Sequence, residues 1–160
     1  MRDGFLKIGA IIAGIISIIY IMKKDTRSRG LRNNNPFNLK ENNVAWMGAI
    51  TDKDEVFEGF VSLDLGIRAG LVNLYNGYFS QGLTLRKIIA KYAPGSDGND
   101  EKSYVDTVSR RSGVIPELTP GKSKWLSIAS AMLYVENGVE VASPDRLRSL
   151  CINYNLINYI

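Results

Sequence analysis

The sequence has 160 residues, of which 45% are hydrophobic and 22% are charged, values that are typical of one globular domain and exclude a disordered or collagen-like chain. It contains one cysteine, Cys151, and no histidine, which excludes an internal disulfide, an imidazole-based zinc site and Ser-His-Asp or Cys-His hydrolysis. The net charge is +4, but residues 1–24 account for +3 of it, so the remainder is nearly neutral and nucleic-acid binding is not expected.

The N-terminal segment is predicted to be a membrane anchor. Residues 8–22 read IGAIIAGIISIIYIM, an uncharged run that reaches the thickness of a bilayer core when it is extended back past Lys7 to Phe5. A buried helix and a cleavable signal peptide are the alternatives, but the run is apolar on all sides and no small-residue cleavage pattern follows it. We therefore expect a transmembrane anchor at residues 1–24 and a juxtamembrane linker at 25–32.

Residues 33–160 are predicted to form one α+β domain that is mostly helical and has a small β-hairpin. Residues 33–38, called the asparagine turn below, are too rich in turn formers for a helix or a central strand. Two runs of β-branched and aromatic residues, 44–50 and 56–61, flank a polar turn and predict the hairpin. Helix caps and apolar spacing predict five helices, at about 63–81, 85–93, 100–112, 123–135 and from 144 onwards.

The asparagine turn belongs to a longer motif, because residues 29–39 read RGLRNNNPFNL. Three further blocks follow at residues 46–48, 57–69 and 83–94, which read WMG, FEGFVSLDLGIRA and LTLRKIIAKYAP. Together they resemble a family of phage virion proteins and prophage-encoded structural proteins related to lysozyme-like peptidoglycan hydrolases. The match covers residues 29–138, and it departs from the family pattern at Phe37, at Tyr92 and at residues 96–101.

The resemblance implies a lysozyme-like fold, preceded here by the predicted transmembrane helix. It also implies a membrane-anchored lytic transglycosylase or lysozyme that opens the cell wall during genome delivery, located in the internal membrane of a virion. The expected partners are peptidoglycan, a lipid membrane and other virion membrane or capsid proteins. No cofactor or metal is expected, since phosphate-binding glycine motifs are missing. The alternative is a non-catalytic virion structural or glycan-binding protein of the same fold.

The predicted proton donor is Glu136. Cleavage of a β-1,4 glycosidic bond needs a carboxylic acid that stays protonated, and a glutamic acid in an apolar pocket has a raised pKa. Glu136 follows an apolar helix and lies near its end, although it could instead be a solvated acid or pair with Arg146 or Arg148. Glu58 on the predicted hairpin is the second candidate, and its alternative is an outward-facing strand residue.

Six further residues are predicted to bind the substrate. Asparagine amides either hydrogen-bond the N-acetyl groups of a glycan or build the turn, because the amide suits both purposes. Aromatic rings either stack on sugars or lie in the core. The asparagines are Asn33, Asn34, Asn35 and Asn38, and the aromatic residues are Trp46 and Tyr92.

Overall fold

A computed structural model of the protein describes residues 25–51 and 53–160, and six α-helices are the main elements of this part of the chain. The helices are α1 (Arg29–Arg32), α2 (Leu63–Gly77), α3 (Leu85–Tyr92), α4 (Glu101–Ser112), α5 (Trp125–Asn137) and α6 (Pro144–Asn153). Two short strands, β1 (Ala49–Ile50) and β2 (Gly59–Phe60), lie between α1 and α2.

Local side-chain caps explain where the longer helices begin. A hydroxyl or carboxylate at each cap accepts a hydrogen bond from a backbone N–H three residues further along, which satisfies a donor that has no partner within the helix. The capping residues of α2, α3, α4 and α6 are Ser62, Thr84, Asp100 and Ser143. Left-handed glycines follow the ends of α4 and α5 at Gly113 and Gly138, where L-residues rarely adopt a positive φ.

The prediction of an α+β fold is wrong, because the described residues are mostly helical and each strand has only two residues. Ala49 pairs with Phe60 and Ile50 pairs with Gly59 in an antiparallel register. The hairpin stays short because the segment before α2 bonds to irregular backbone instead: the N–H of Phe60 donates to the carbonyl of Asn33 at 2.9 Å. Of the hydrophobic residues in this segment, Phe60 is fully buried, whereas Val56 and Val61 are exposed, so its β-rich composition does not by itself produce a longer strand.

The predicted fold also included a transmembrane helix in the N-terminal segment. Within residues 25–51 and 53–160, no helix combines the length and apolar character needed to cross a membrane. The segment predicted to be an anchor, residues 1–24, lies outside the described residues. Part of the predicted linker at 25–32 is folded, since α1 begins after Ser28, whose hydroxyl accepts a hydrogen bond from the N–H of Leu31.

Helix α5 lies at the centre of the hydrophobic core. Its apolar residues occur on every face, and Ile128, Met132 and Leu133 are fully buried. It packs against α4 and α6, whose buried residues include Val108 and Leu147. Because α5 is buried among the other helices, its orientation is fixed, and its C-terminal end places Glu136 next to the asparagine turn.

Two glycines bring the asparagine turn directly onto α2. Gly66 and Gly70 are one helical turn apart on the same face. A Cβ atom at Gly66 would lie 1.7 Å from the carbonyl oxygen of Asn34, and one at Gly70 would lie 2.0 Å from the ring of Phe37. Only glycine permits this close approach, and it positions the turn against the helix.

Candidate active site

The asparagine turn is held by its own side chains. Asn34 and Asn38 adopt left-handed backbone conformations with φ of 53° and 49°. Asn35 is 0% exposed, and its amide nitrogen donates to the carbonyls of Leu39 and Glu58, both at 2.9 Å. Its Oδ1 accepts a hydrogen bond from the N–H of Leu39 at 2.9 Å. The side chain of Asn35 therefore supplies the hydrogen-bond partners that the backbone does not provide for the N–H of Leu39 and the carbonyl of Glu58.

The two preceding asparagines also bond to the protein. Nδ2 of Asn33 donates to Oδ2 of Asp54 at 2.7 Å, and Nδ2 of Asn34 donates to the carbonyl of Phe60 at 2.9 Å. These contacts favour the interpretation that Asn33, Asn34 and Asn35 build the turn. Glycan binding by these three residues stays a prediction that their geometry does not support.

Arg29 and Asp54 connect α1 to the loop before β2. The guanidinium of Arg29 donates to both carboxylate oxygens of Asp54, at 2.5 and 2.7 Å, and it also lies 4.7 Å from the ring centre of Phe57. These hydrogen bonds, with others from backbone N–H groups and Asn33, hold the pKa of Asp54 well below its usual range. Asp54 is therefore ionised and fully paired.

Glu136 lies in the last turn of α5, beside the asparagine turn. Its Oε2 accepts a hydrogen bond from Nδ2 of Asn38 at 2.7 Å, and its Oε1 accepts one from the hydroxyl of Tyr104 at 2.7 Å. The two arginines suggested as alternative partners do not contact it. Arg146 forms an ion pair with Asp64 at 2.7 Å instead, and no salt bridge to Glu136 occurs within the described residues.

Burial raises the pKa of Glu136 above its ordinary value of 4.5. The hydrogen bonds from Tyr104 and Asn38 act in the opposite direction, because they stabilise the charged form, but the loss of hydration is the larger effect. Burial and the nearby Glu136 charge also raise the pKa values of Tyr92 and Tyr104 well above 10.0, so both phenols remain neutral. The carboxyl is thus oriented and shifted towards its protonated form.

Glu136 lines two neighbouring cavities. The main cavity has a volume of about 820 Å³, and a smaller one of about 370 Å³ is lined by Asn99, Tyr104 and Glu136. Both volumes share Glu136 and Asn99. The main cavity is lined by polar side chains from several elements, among them Asn38, Asn42, Asn73, Lys91, Tyr92 and Asn99. The carboxyl therefore lies between two spaces that one extended ligand could occupy.

Tyr92 lines the main cavity but is largely committed to the fold. Its hydroxyl donates to the carbonyl of Phe37 at 2.5 Å, and its ring meets that of Tyr78 edge to face at a centroid distance of 5.5 Å. The structure thus uses Tyr92 to hold the asparagine turn against α3. Stacking of its ring on a sugar stays a prediction.

Glu58 and Trp46 line a different space, called the side cavity below, of about 220 Å³. Glu58 is only 8% exposed, so its interpretation as an outward-facing strand residue is wrong. The strand is too short for alternation, and the carboxylate turns inward to accept a hydrogen bond from the N–H of Asn42 at 3.3 Å. Glu41, Asn42 and Phe57 line both the side cavity and the main cavity and form a shared wall.

Tyr104 is the site residue that the sequence did not identify. It occupies an inward-facing position of α4, where its neighbours Val105 and Val108 belong to the core. A buried tyrosine needs a partner for its hydroxyl, which was the one available indication. The partner, Glu136, is 32 residues further along the chain.

The described part of the chain contains no group of three or more Cys, Asp or Glu side chains arranged to hold a metal ion. No protein-family model matches the chain. It is 34% identical over 126 residues to Protein P5 of Pseudoalteromonas phage PM2, and the alignment covers 76% of this chain and 78% of that protein.

Proposed function

The chain belongs to the family of Protein P5 of Pseudoalteromonas phage PM2. We propose that it is a virion peptidoglycan hydrolase. The activity is that of a lytic transglycosylase or lysozyme, which opens the cell wall during genome delivery. The observation that carries this proposal is the partly buried carboxyl of Glu136, oriented by Asn38 and Tyr104 beside two cavities. Family membership supports the phage context, and the geometry supports the chemistry.

Glu136 acts as the general acid. When a glycan lies across the cleft, the protonated carboxyl donates its proton to the oxygen of the glycosidic bond as the bond from that oxygen to the anomeric carbon breaks. The leaving sugar departs as an alcohol, and positive charge develops on the other sugar. The carboxylate that remains is stabilised by the hydrogen bonds from Asn38 and Tyr104.

The hydroxyl of Tyr104 serves both protonation states of Glu136. It donates to Oε1 of the carboxylate, and it can rotate to accept a hydrogen bond when that oxygen carries the proton. Asn38 can only donate through Nδ2, so it favours an unprotonated Oε2. We infer that the proton resides on Oε1, on the side of Tyr104, before transfer.

Either of two acceptors completes the reaction. A water molecule captures the positively charged sugar in a lysozyme, and the 6-hydroxyl of that sugar captures it in a lytic transglycosylase. In both reactions Glu136, now a carboxylate, takes the proton that the incoming hydroxyl loses, so the acid is regenerated. The mass of the product distinguishes the two, because the intramolecular product contains one water less.

The test is digestion of purified peptidoglycan by the full-length protein. We expect soluble fragments from the wild type, and a loss of about 10²–10⁴-fold in rate for Glu136→Gln, because an amide cannot donate the proton. Glu101→Gln is the matched control: it removes one negative charge from a residue that lines neither cavity. Unchanged cleavage by Glu136→Gln would contradict the proposal.

Binding without cleavage would instead support the non-catalytic alternative. In that case the wild type and Glu136→Gln would sediment with peptidoglycan equally and release no fragments. The location in a virion membrane and the predicted contacts with lipid and other virion proteins stay predictions, because no described residue bears on them.

A further inference from the structure

The side cavity contains a carboxylate whose charge has no partner among the described residues. Glu58 is 8% exposed and accepts one hydrogen bond, from the N–H of Asn42 at a long 3.3 Å. Its Oε2 receives no hydrogen bond from any described residue, and none of them forms a salt bridge with it. A counter-ion stabilises a carboxylate that is largely removed from solvent, and the side cavity offers the space for one.

The other charges around the side cavity do not compensate Glu58. Asp54 also lines it, but its charge is balanced by Arg29. Glu41, which is exposed, adds a second negative charge, and no lysine or arginine is among the described residues that line the cavity. The side cavity is therefore net negative and is complementary to a cation.

The remaining walls favour an organic ammonium group. The indole of Trp46 lines the same space as Glu58, and so does the ring of Phe57, over which the guanidinium of Arg29 also lies. Aromatic rings attract ammonium groups. The volume of about 220 Å³ accommodates an ammonium on a short aliphatic stem.

We propose that the side cavity binds a primary ammonium group of the peptide attached to peptidoglycan, with Glu58 as its counter-ion. This inference rests on the proposed function, since it assumes that the glycan occupies the main cavity. The shared wall of Glu41, Asn42 and Phe57 places the two spaces next to each other. Only these three residues separate a glycan substituent in the main cavity from the side cavity that contains Glu58. Diaminopimelic acid in the wall peptide supplies a free amino group of the required kind.

A purely structural role for Glu58 predicts a different outcome. In that role the carboxylate only accepts the hydrogen bond from Asn42 and shapes the loop. Glu58→Gln keeps an acceptor oxygen in the same place but removes the charge. A structural residue would therefore tolerate this change with no effect on the preference for charged over neutral wall peptides.

The experiment compares sacculi that contain diaminopimelic acid with the same sacculi after acetylation of their free amino groups. Full-length protein carrying Glu136→Gln is used so that the wall is not digested, and the Kd is measured by co-sedimentation. We expect acetylation to raise the Kd about tenfold, as for loss of one charge-assisted hydrogen bond. The double variant Glu136→Gln, Glu58→Gln should bind both walls with the weaker affinity, and adding Glu101→Gln instead should leave the preference intact.

Three results would overturn the inference: equal binding to both walls by protein that retains Glu58, a preference that survives Glu58→Gln, or no binding to either wall. The first of these results is obtained without a change at Glu58, so this test remains valid even if the Glu58→Gln variant does not fold. Cleavage is measured separately, with wild-type protein on glycan strands freed of peptide. Cleavage without an ammonium preference would contradict only this inference, and a preference without cleavage would contradict only the proposed enzyme.

Discussion

At the scale of single residues, the state of Glu136 depends on a balance between lost hydration and two hydrogen bonds. Burial favours the neutral acid, whereas the donors on Tyr104 and Asn38 favour the carboxylate. A general acid needs both influences, because it must hold its proton before the reaction and accept a negative charge during it. The pair of donors therefore tunes the acid as well as orienting it.

Removal of the Tyr104 hydroxyl should shift the pH dependence of cleavage. Tyr104→Phe deletes a hydrogen bond that lowers the pKa of Glu136, so this pKa should rise further and the alkaline decline of activity should move to higher pH. The maximal rate should fall, since the carboxylate formed during the reaction loses a donor. The measurement is a pH profile of kcat/KM. A lower rate with an unmoved profile would show that the hydroxyl of Tyr104 does not set the pKa of Glu136.

The raised pKa of Glu136 also predicts how stability depends on pH. The folded state binds the proton more tightly than the unfolded state, so the stabilisation is fully present below about pH 4.5 and is lost as the pH rises through the higher folded pKa. The variant Glu136→Gln has an amide at this position, which does not titrate. We expect the Tm of the wild type to fall relative to that variant over this interval, measured by thermal unfolding in a series of buffers. A constant difference in Tm would be inconsistent with a raised pKa.

Asn35 should be essential for folding rather than for glycan binding. Asn35→Ala leaves the carbonyl of Glu58 and the N–H of Leu39 buried without partners, whereas the carbonyl of Leu39 keeps its bond from the N–H of Glu58; we expect a cost of about 3 kcal/mol in the free energy of unfolding. Asn43→Ala, an exposed asparagine nearby, should change it by less than about 0.5 kcal/mol. Urea unfolding measures both. Full stability of Asn35→Ala combined with weaker binding to sacculi would restore its predicted role as a ligand contact.

At the scale of elements, the decisive contact is the one between α2 and the asparagine turn. Gly66 and Gly70 remove two side chains from one face of α2, and the backbone of Asn34 and the ring of Phe37 occupy the space. The helix thus provides a flat surface that supports the turn from behind. Because Asn38 follows four residues after Asn34, the position of its amide near Glu136 depends on this support.

A methyl group on this face of α2 should disrupt the turn. Gly66→Ala should lower the free energy of unfolding by about 3 kcal/mol or more, since its Cβ would lie 1.7 Å from a backbone oxygen that cannot move without the turn. Gly77→Ala, in the same helix, is the control: its nearest neighbour lies at 4.0 Å, and alanine should stabilise the helix by up to about 1 kcal/mol. Chemical denaturation of both variants checks this. Similar stabilities for the two would mean that the turn can shift away from α2.

At the scale of the whole molecule, the candidate active site joins three separate parts of the chain. Glu136 comes from α5, Tyr104 from α4, and Asn38 from the asparagine turn. Asn137 strengthens the junction, because its amide donates to the carbonyl of Pro36 at 2.8 Å and accepts a hydrogen bond from the hydroxyl of Ser28 at 2.6 Å. The carboxyl is therefore oriented only when the helices and the turn have packed together.

Features that depend on near neighbours along the chain can be predicted from the amino-acid sequence. The caps at Ser62, Thr84 and Ser143 are visible because each hydroxyl bonds to an N–H three residues away. The position of Glu136 near a helix end can also be predicted from local sequence, because an apolar run followed by a glycine indicates where α5 ends.

The contacts between side chains that are distant in sequence depend on tertiary packing. Asn38 and Glu136 are 98 residues apart, and their contact requires the buried α5 and the two glycines of α2 to place the turn and the helix end together. The inward turn of Glu58 and the shortness of the hairpin likewise follow from backbone hydrogen bonds to the asparagine turn. Composition and periodicity report how one segment prefers to fold, whereas contact with a distant partner depends on packing and on a loop-closure entropy that no local pattern encodes.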